Sequence, residues 1–260
     1  ITLNNANDFS TVSVVSGNNV VLNDVNALDL GASTVSGTLT VTSGGALTQS
    51  GAVTAPNLAV TSSGPVTLTN PANDFDTVAA QVNGAGNGLQ LVDVDGLTVG
   101  TVGAVSGIMA AGNVALTTTN GGALTIDQPI TTTNTGTLTL TNAGLLALNA
   151  NLAADGAIVQ NGAGAITTTG SRTLTTTNDA VTLNQAVTLG GDLTITTGTG
   201  PITLNSTLDG AGNLTANSTG TTTFAGAVGG ITPLTSVTTN AGGTSALNGG
   251  TVTTTGAQTY

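Results

Sequence analysis

The sequence predicts an all-β fold, a right-handed parallel β-helix (β-solenoid) with about 20 residues per coil and roughly 13 coils. Three observations favour this architecture. Short segments alternate aliphatic residues with threonine or asparagine, glycine-rich turns separate these segments, and the segments recur at a nearly regular spacing. Together they predict one continuous solenoid over residues 1–260, as a segment of a longer repetitive protein.

The stretch Gly37–Gly51 illustrates the predicted unit. Leu39 and Val41 alternate with threonines, and this period of two places the aliphatic side chains on one face of a strand. Residues 43–45, Ser-Gly-Gly, then turn the chain, because glycine accepts positive φ without steric cost. Residues 46–49 form a second short strand, so this stretch is predicted to be part of one coil.

Similar alternating strands recur along the chain. They are predicted to start at Leu39, Leu58, Leu89, Val114, Leu138, Ile158, Leu174, Leu193, Leu214, Leu234 and Val252. Most steps are about 20 residues, and the longer step from Leu58 to Leu89 indicates an extra loop. The Ala- and Leu-rich residues 145–155 still alternate and are predicted as strand, whereas residues 220–239 are the least regular.

A longer period contains the short one. Residues 66–75 copy residues 1–9 with one insertion, and both stretches end in Asn-Asp-Phe. Residues 89–95 then take the place of residues 20–26. The sequence therefore predicts a long internal repeat, 1–65 and 66–130, of roughly three coils per copy.

The composition separates this chain from most β proteins. Charged residues are 5% of the chain, against roughly 25% in a typical domain, and aromatic residues are 2%. Cysteine is absent, which excludes disulfides and thiolate metal sites. Immunoglobulin-like sandwiches have a similar strand spacing, but they normally carry a core Trp or Tyr. This chain has no Trp, and its single Tyr is Tyr260.

The charge balance limits the partners. The net charge is −11, every acidic residue is Asp, and Arg172 is the single Lys or Arg side chain. Nucleic acid and anionic membrane surfaces are disfavoured, because almost nothing would displace counterions from phosphates. No apolar run approaches the ~20 residues of a transmembrane helix, so this segment is predicted not to insert into a membrane.

The sequence offers few groups for catalysis. It has no His, Cys, Lys or Glu, which removes the usual general bases, nucleophiles and transition-metal ligands, so we predict neither enzyme activity nor a cofactor. Arg172 is interpreted as a surface-turn residue. Asp93 and Asp95 lie two apart on a predicted strand, as do Asp74 and Asp76. We interpret them as solvated acids, with Asp93 and Asp95 as candidate calcium ligands or as the pair of a carbohydrate-active β-helix.

Six threonine triplets could form a flat outer face of the kind that ice-binding β-solenoids use. They begin at residues 117, 131, 167, 175, 221 and 253. Their spacing is irregular, and threonine favours strands in any case, so we interpret them as ordinary solvent-facing residues.

A single coil is predicted to be unstable alone. Ordering its backbone costs more than its few aliphatic side chains return, so stability belongs to the stack. An uncovered coil end presents unpaired backbone groups, and end-to-end stacking into a filament is therefore an alternative function, with the chain itself as partner.

The motifs also resemble a known family. Asn-Asp-Phe followed by Val-x-Val opens the chain, residues 20–31 read Val-x-Leu-x-Asp-x-Asn-x-Leu-x-Leu-Gly, residues 37–51 follow as described, and Thr-Thr-Thr-Gly-Ala-Gln-Thr-Tyr closes the chain. These residues resemble the repeat region of large bacterial secreted exoproteins, the filamentous-haemagglutinin-like and autotransporter-like adhesins. The resemblance implies a non-enzymatic β-helical stalk or fibre segment at the cell surface or outside the cell. It leaves the receptor or glycan partner open.

Overall fold

The chain folds as an all-β parallel solenoid. A computed structural model describes residues 1–240 and 242–260 and contains about 12 coils of roughly 21 residues, with no helix in these ranges. The predicted fold class is confirmed, with slightly fewer and longer coils than expected. At ~4.8 Å per coil, the rod is about 60 Å long.

The strands are short and evenly distributed over the described residues. The first part of the chain forms β1 (Thr2–Asn7), β2 (Thr11–Val12), β3 (Val20–Asp24), β4 (Leu28–Leu30), β5 (Ser33–Thr34), β6 (Thr38–Ser43), β7 (Leu47–Gln49), β8 (Val53–Thr54), β9 (Asn57–Ser62), β10 (Val66–Leu68), β11 (Thr77–Val82), β12 (Leu89–Asp93), β13 (Leu97–Val99), β14 (Thr101–Val102), β15 (Val105–Ser106), β16 (Ile108–Ala110) and β17 (Val114–Thr118). The remainder forms β18 (Leu124–Ile126), β19 (Ile130–Thr132), β20 (Leu138–Thr141), β21 (Leu146–Leu148), β22 (Leu152–Ala154), β23 (Ile158–Gln160), β24 (Ile166–Thr169), β25 (Arg172–Thr176), β26 (Val181–Leu183), β27 (Val187–Gly190), β28 (Leu193–Gly198), β29 (Ile202–Leu204), β30 (Leu208–Gly210), β31 (Asn213–Ser218), β32 (Thr221–Phe224), β33 (Ser236–Thr239), β34 (Thr244–Leu247) and β35 (Gln258–Thr259).

Three faces run along the rod, each built from parallel strands of successive coils. Face 1 is a 12-stranded sheet in the described chain, made of β2, β4, β7, β10, β12, β17, β20, β23, β26, β29, β32 and β34. Face 2 contains β13, β18, β21, β24, β27 and β30. Face 3 contains β1, β3, β6, β9, β11, β16, β19, β22, β25, β28, β31, β33 and β35.

Strand β11 is where faces 2 and 3 separate. Its first residues, Thr77 and Val78, pair with β13, whereas residues 80–82 pair with β16. Before this point β6 and β9 are single six-residue strands, and from β13 to β31 each coil has two strands of three to six residues in their place. The cross-section of the rod therefore changes at β11.

The core is a column of aliphatic side chains between the three faces. On face 1, Leu91, Leu116 and Leu140 stack in register and are at most 1% exposed. The predicted unit behaves as expected, because Leu39 and Val41 of β6 are buried and the threonines that alternate with them point outward. Period-two alternation thus places one aliphatic layer per coil against the next.

Buried polar side chains line the corners of the column. Ser62 is fully buried at the end of β9, and its hydroxyl lies within hydrogen-bond distance of the carbonyl oxygens of Gly64 (2.8 Å) and Gly45 (3.0 Å), to either of which its single hydrogen can donate. At the end of face 1, the amide of Asn142 donates to Gly144 (2.7 Å) and Gly164 (3.0 Å). These side chains satisfy turn carbonyls that the ladder leaves free.

One copy of the long repeat covers three full coils and the length of chain that reaches the next face. Thr2, Val21, Thr40 and Ala59 lie in one column of face 3, with steps of 19 residues. The remaining residues of the first copy carry the chain onto the next face. Strands β1 and β3 lie next to each other on face 3. Their copies in the second repeat, β10 and β12, lie next to each other on face 1.

This shift has a visible consequence at the hairpin β14–β15. Residues 31–37 correspond in the repeat to residues 100–107. The first stretch begins at the Gly of Leu-Asp-Leu-Gly and the second at the Gly of Leu-Thr-Val-Gly, and both end in Val-Ser-Gly. In the first copy this stretch contains β5, which lies parallel to β8. In the second copy it is an antiparallel hairpin whose turn contains Gly103 at φ 60°. The hairpin covers Ala59 and Ala79 on the outer side of face 3.

Two further predictions can be compared with the structure. The longer step from Leu58 to Leu89 has two causes. These residues lie on faces 3 and 1, and the connection from β11 to β12, residues 83–88, is longer than the connection from β9 to β10, residues 63–65. The extra loop is therefore confirmed only as this short extension. Residues 145–155 form β21 and β22, which confirms strand rather than helix.

Candidate functional site

The two aspartates singled out by sequence occupy different environments. Asp93 is the last residue of β12 and is 0% exposed, whereas Asp95 lies in the following turn and is exposed. The interpretation of both as solvated acids of one strand is therefore wrong for Asp93. Strand β12 ends at Asp93, so the alternation does not extend to Asp95.

The Asp93 carboxylate joins two coils through backbone hydrogen bonds. Its Oδ2 accepts from the backbone N–H of Phe75 (2.7 Å), in the preceding coil, and its Oδ1 accepts from the N–H of Asp95 (3.1 Å). Phe75 is itself fully buried. The carboxylate thus holds a core aromatic residue and closes its own turn, which is a structural role for both of its oxygens.

Burial sets the ionisation of this group. Desolvation raises the pKa of Asp93 from 3.8 to about 6, the N–H donors of Phe75 and Asp95 oppose this increase, and the negative charges of Asp95 and Asp74 add to it. Burial therefore favours the neutral form of this carboxyl group more than it would for an exposed aspartate.

The first copy of the repeat contains the same arrangement. Asp24 ends β3 and is 2% exposed, its Oδ1 accepts from the N–H of Phe9 (2.6 Å), and its Oδ2 accepts from the N–H of Asn26 (3.2 Å). Sequence reasoning missed this role, although the signal was present. In Val-x-Leu-x-Asp, the Asp has the same parity as the buried aliphatic residues, which predicts an inward side chain.

The predicted acids do not form a metal-binding group in the described chain. Asp74 is half-buried in the loop before β11, and Asp76 is exposed. No group of three or more acidic, His or Cys side chains suited to a metal ion occurs among residues 1–240 and 242–260. The assignment of Asp93 and Asp95 as calcium ligands stays a prediction.

Arg172 is located at a strand end. It is half-buried as the first residue of β25, pairs with Leu193 of β28, and its Nη1 donates to the carbonyl oxygen of Ser171 (2.9 Å). The prediction of a turn position is therefore wrong by a small margin, since the turn ends just before this residue.

The threonine triplets do not share one face. The triplets starting at residues 117 and 221 lie on face 1, those at 131 and 175 on face 3, and the one at 167 on face 2. A different set is in register on the outer side of face 3. It consists of Thr173, Thr194, Thr215, Thr238 and Thr259.

In the described chain, no helix has the length and apolar character required to span a membrane.

Comparison with known proteins shows a family match over part of the chain. Residues 17–82, about a quarter of the chain, match a family described as "Repeats of unknown function" (DUF5649). This segment runs from the turn before β3 to the end of β11 and includes both Asp24 and the Asn-Asp-Phe of the second copy. No curated protein matches the chain, and no solved structure does. The chain is therefore a repeat-containing β-solenoid, one part of which is similar to this repeat family.

Proposed function

We propose that this chain is a non-enzymatic stalk segment of a bacterial adhesin that is displayed at the cell surface or secreted. The observation that carries the proposal is the continuity of the rod. Face 1 pairs strand to strand through all of its 12 strands in the described chain, and one hydrophobic core cluster extends from Val14 to Val237.

The direction of the hydrogen bonds suits a load-bearing spacer. In a solenoid the inter-strand bonds run along the rod axis, so each coil is joined to the next by the bonds of two or three strands. Corner contacts such as Asp93 to Phe75 and Asn142 to Gly164 add further links between coils. A tensile load along the axis is therefore shared by several bonds at every coil boundary.

The surface is compatible with a spacer as well. Outward positions carry mostly threonine, asparagine and alanine, and the net charge of −11 comes from aspartates spread along the chain. A neutral-to-acidic polar surface keeps neighbouring rods apart and limits non-specific adhesion along the shaft. Receptor recognition is then assigned to another part of the parent protein.

Single-molecule force spectroscopy tests this role. With the chain held at its two ends, the stalk proposal expects stepwise extension, in which each coil releases about 70 Å of chain at ~3.4 Å per residue. Extension at the low forces of an unstructured polypeptide would contradict it. Incubation with a panel of polysaccharides is the second arm, because turnover that Asp93→Asn abolishes would favour the carbohydrate-active alternative.

A further inference from the structure

The two buried aspartates form a matched pair with one electrostatic difference. Asp24 and Asp93 occupy equivalent positions of the long repeat and each accept two backbone N–H groups. The turn residue that donates to Asp24 is Asn26, a neutral side chain, whereas the one that donates to Asp93 is Asp95. The second copy therefore places an additional carboxylate beside its buried acid.

We propose that the Asp93 corner is a proton-responsive joint in the rod, which is more stable when the Asp93 carboxyl is neutral than when it is ionised. The joint connects the loop that carries Phe75 to the turn after β12, next to the point where β11 divides faces 2 and 3. It lies at the change of cross-section, where β11 pairs with β9 on one side and with both β13 and β16 on the other.

The groups around Asp93 support this direction. The charged groups that act on it are Asp95, in its own turn, and Asp74, in the loop packed against it, and both are negative. The neighbouring face 1 strands β10 and β17 contain no titratable residue. An ionised Asp93 is therefore buried next to like charges and is compensated by two N–H dipoles alone.

The sign of the pH effect follows from the two pKa values. Asp93 has a pKa of about 6 in the fold, against 3.8 in an unfolded chain, so the fold binds the proton more tightly. The stabilisation is complete below pH 3.8 and is lost as the pH rises through 6. Since each pKa unit is a factor of ten, the unfolding equilibrium constant should rise about fiftyfold between pH 4 and pH 7 from this group.

The matched aspartates provide the experiment. Urea unfolding of the whole chain is measured between pH 4 and 8 for wild type, Asp93→Asn and Asp24→Asn. The proposal expects wild type and Asp24→Asn to lose stability on going from pH 4 to 7, and Asp93→Asn to lose this dependence. An Asp93→Asn variant that retains the wild-type slope would overturn the proposal.

A direct titration covers the case in which Asp93→Asn does not fold. Carbon-13 NMR of the side-chain carboxyl groups in the wild-type chain, assigned through Asp24→Asn and Asp95→Asn, should show one aspartate titrating near pH 6. If every aspartate of the wild type titrates below about pH 4.5, within the usual range for this side chain, the joint is not proton-responsive and the inference fails.

Discussion

The aliphatic stack allows a quantitative test of the rod at Leu116. This side chain is 0% exposed and lies between Leu91 and Leu140 of the adjacent coils. Leu116→Ala removes a buried branch and leaves a cavity. The backbone ladder fixes the distance between coils, so the neighbouring leucines are unable to close this cavity. We therefore expect a loss of about 3–5 kcal/mol in the free energy of unfolding, in the upper part of the range for such substitutions.

A matched control separates burial from side-chain identity. Leu145 is 43% exposed in the turn before β21, so Leu145→Ala should cost less than about 1 kcal/mol. Urea unfolding followed by far-UV circular dichroism measures both values, since the chain has no Trp to report by fluorescence.

Trypsin provides a second assay, because Arg172 is the single Lys or Arg and cleavage after it yields two fragments. Its half-buried position in β25 means that cleavage requires the coil to open. If the stack unfolds as a unit, Leu116→Ala should accelerate cleavage at Arg172 by more than a hundredfold, in line with its loss of stability. A Leu116→Ala variant no less stable than Leu145→Ala would refute the stacking argument.

Three further outcomes are expected. Gly164→Ala should destabilise the rod by several kcal/mol, because a methyl group there would overlap the carbonyl oxygen of Gly144, whereas Gly230→Ala, which meets only an ordinary contact, should have little effect on the urea midpoint. Asn142→Ala should cost about 2–3 kcal/mol by the same measurement, because it leaves two turn carbonyls without their donor. Calcium and EDTA should each leave the thermal midpoint unchanged, because both oxygens of Asp93 already accept backbone N–H groups; a rise with calcium would support the calcium prediction instead.

Much of the local structure was predictable from the chain. Alternation at Leu39 and Val41 identified the inward side of β6, and the glycine pairs identified the turns between faces. The absence of long apolar runs and the nearly regular spacing then favoured a stacked solenoid. These features depend on residues close in sequence, where the strand period alone determines the direction of each side chain.

The candidate site was predictable only in part. The sequence indicated Asp93 and Asp95 as a pair, but placing them in one environment required knowing where β12 ends. The contact from Asp93 to Phe75 links residues 18 positions apart, and this separation acquires a meaning only when the coil length around it is known.

By itself, the sequence determined the strand period, the turns, the aliphatic layer of each coil and the existence of a long repeat. Only the tertiary structure decided which face each copy of the repeat occupies. Residues 31–37 begin at the end of face 1 and cross to face 3, so they extend and pair as β5, whereas residues 100–107 begin at face 2, beside face 3, and fold back as β14–β15. The physical reason is that a coil has a fixed perimeter. Residues beyond those needed to close a coil must project out of the wall of the rod. The local sequence pattern does not indicate how many residues the coil already contains.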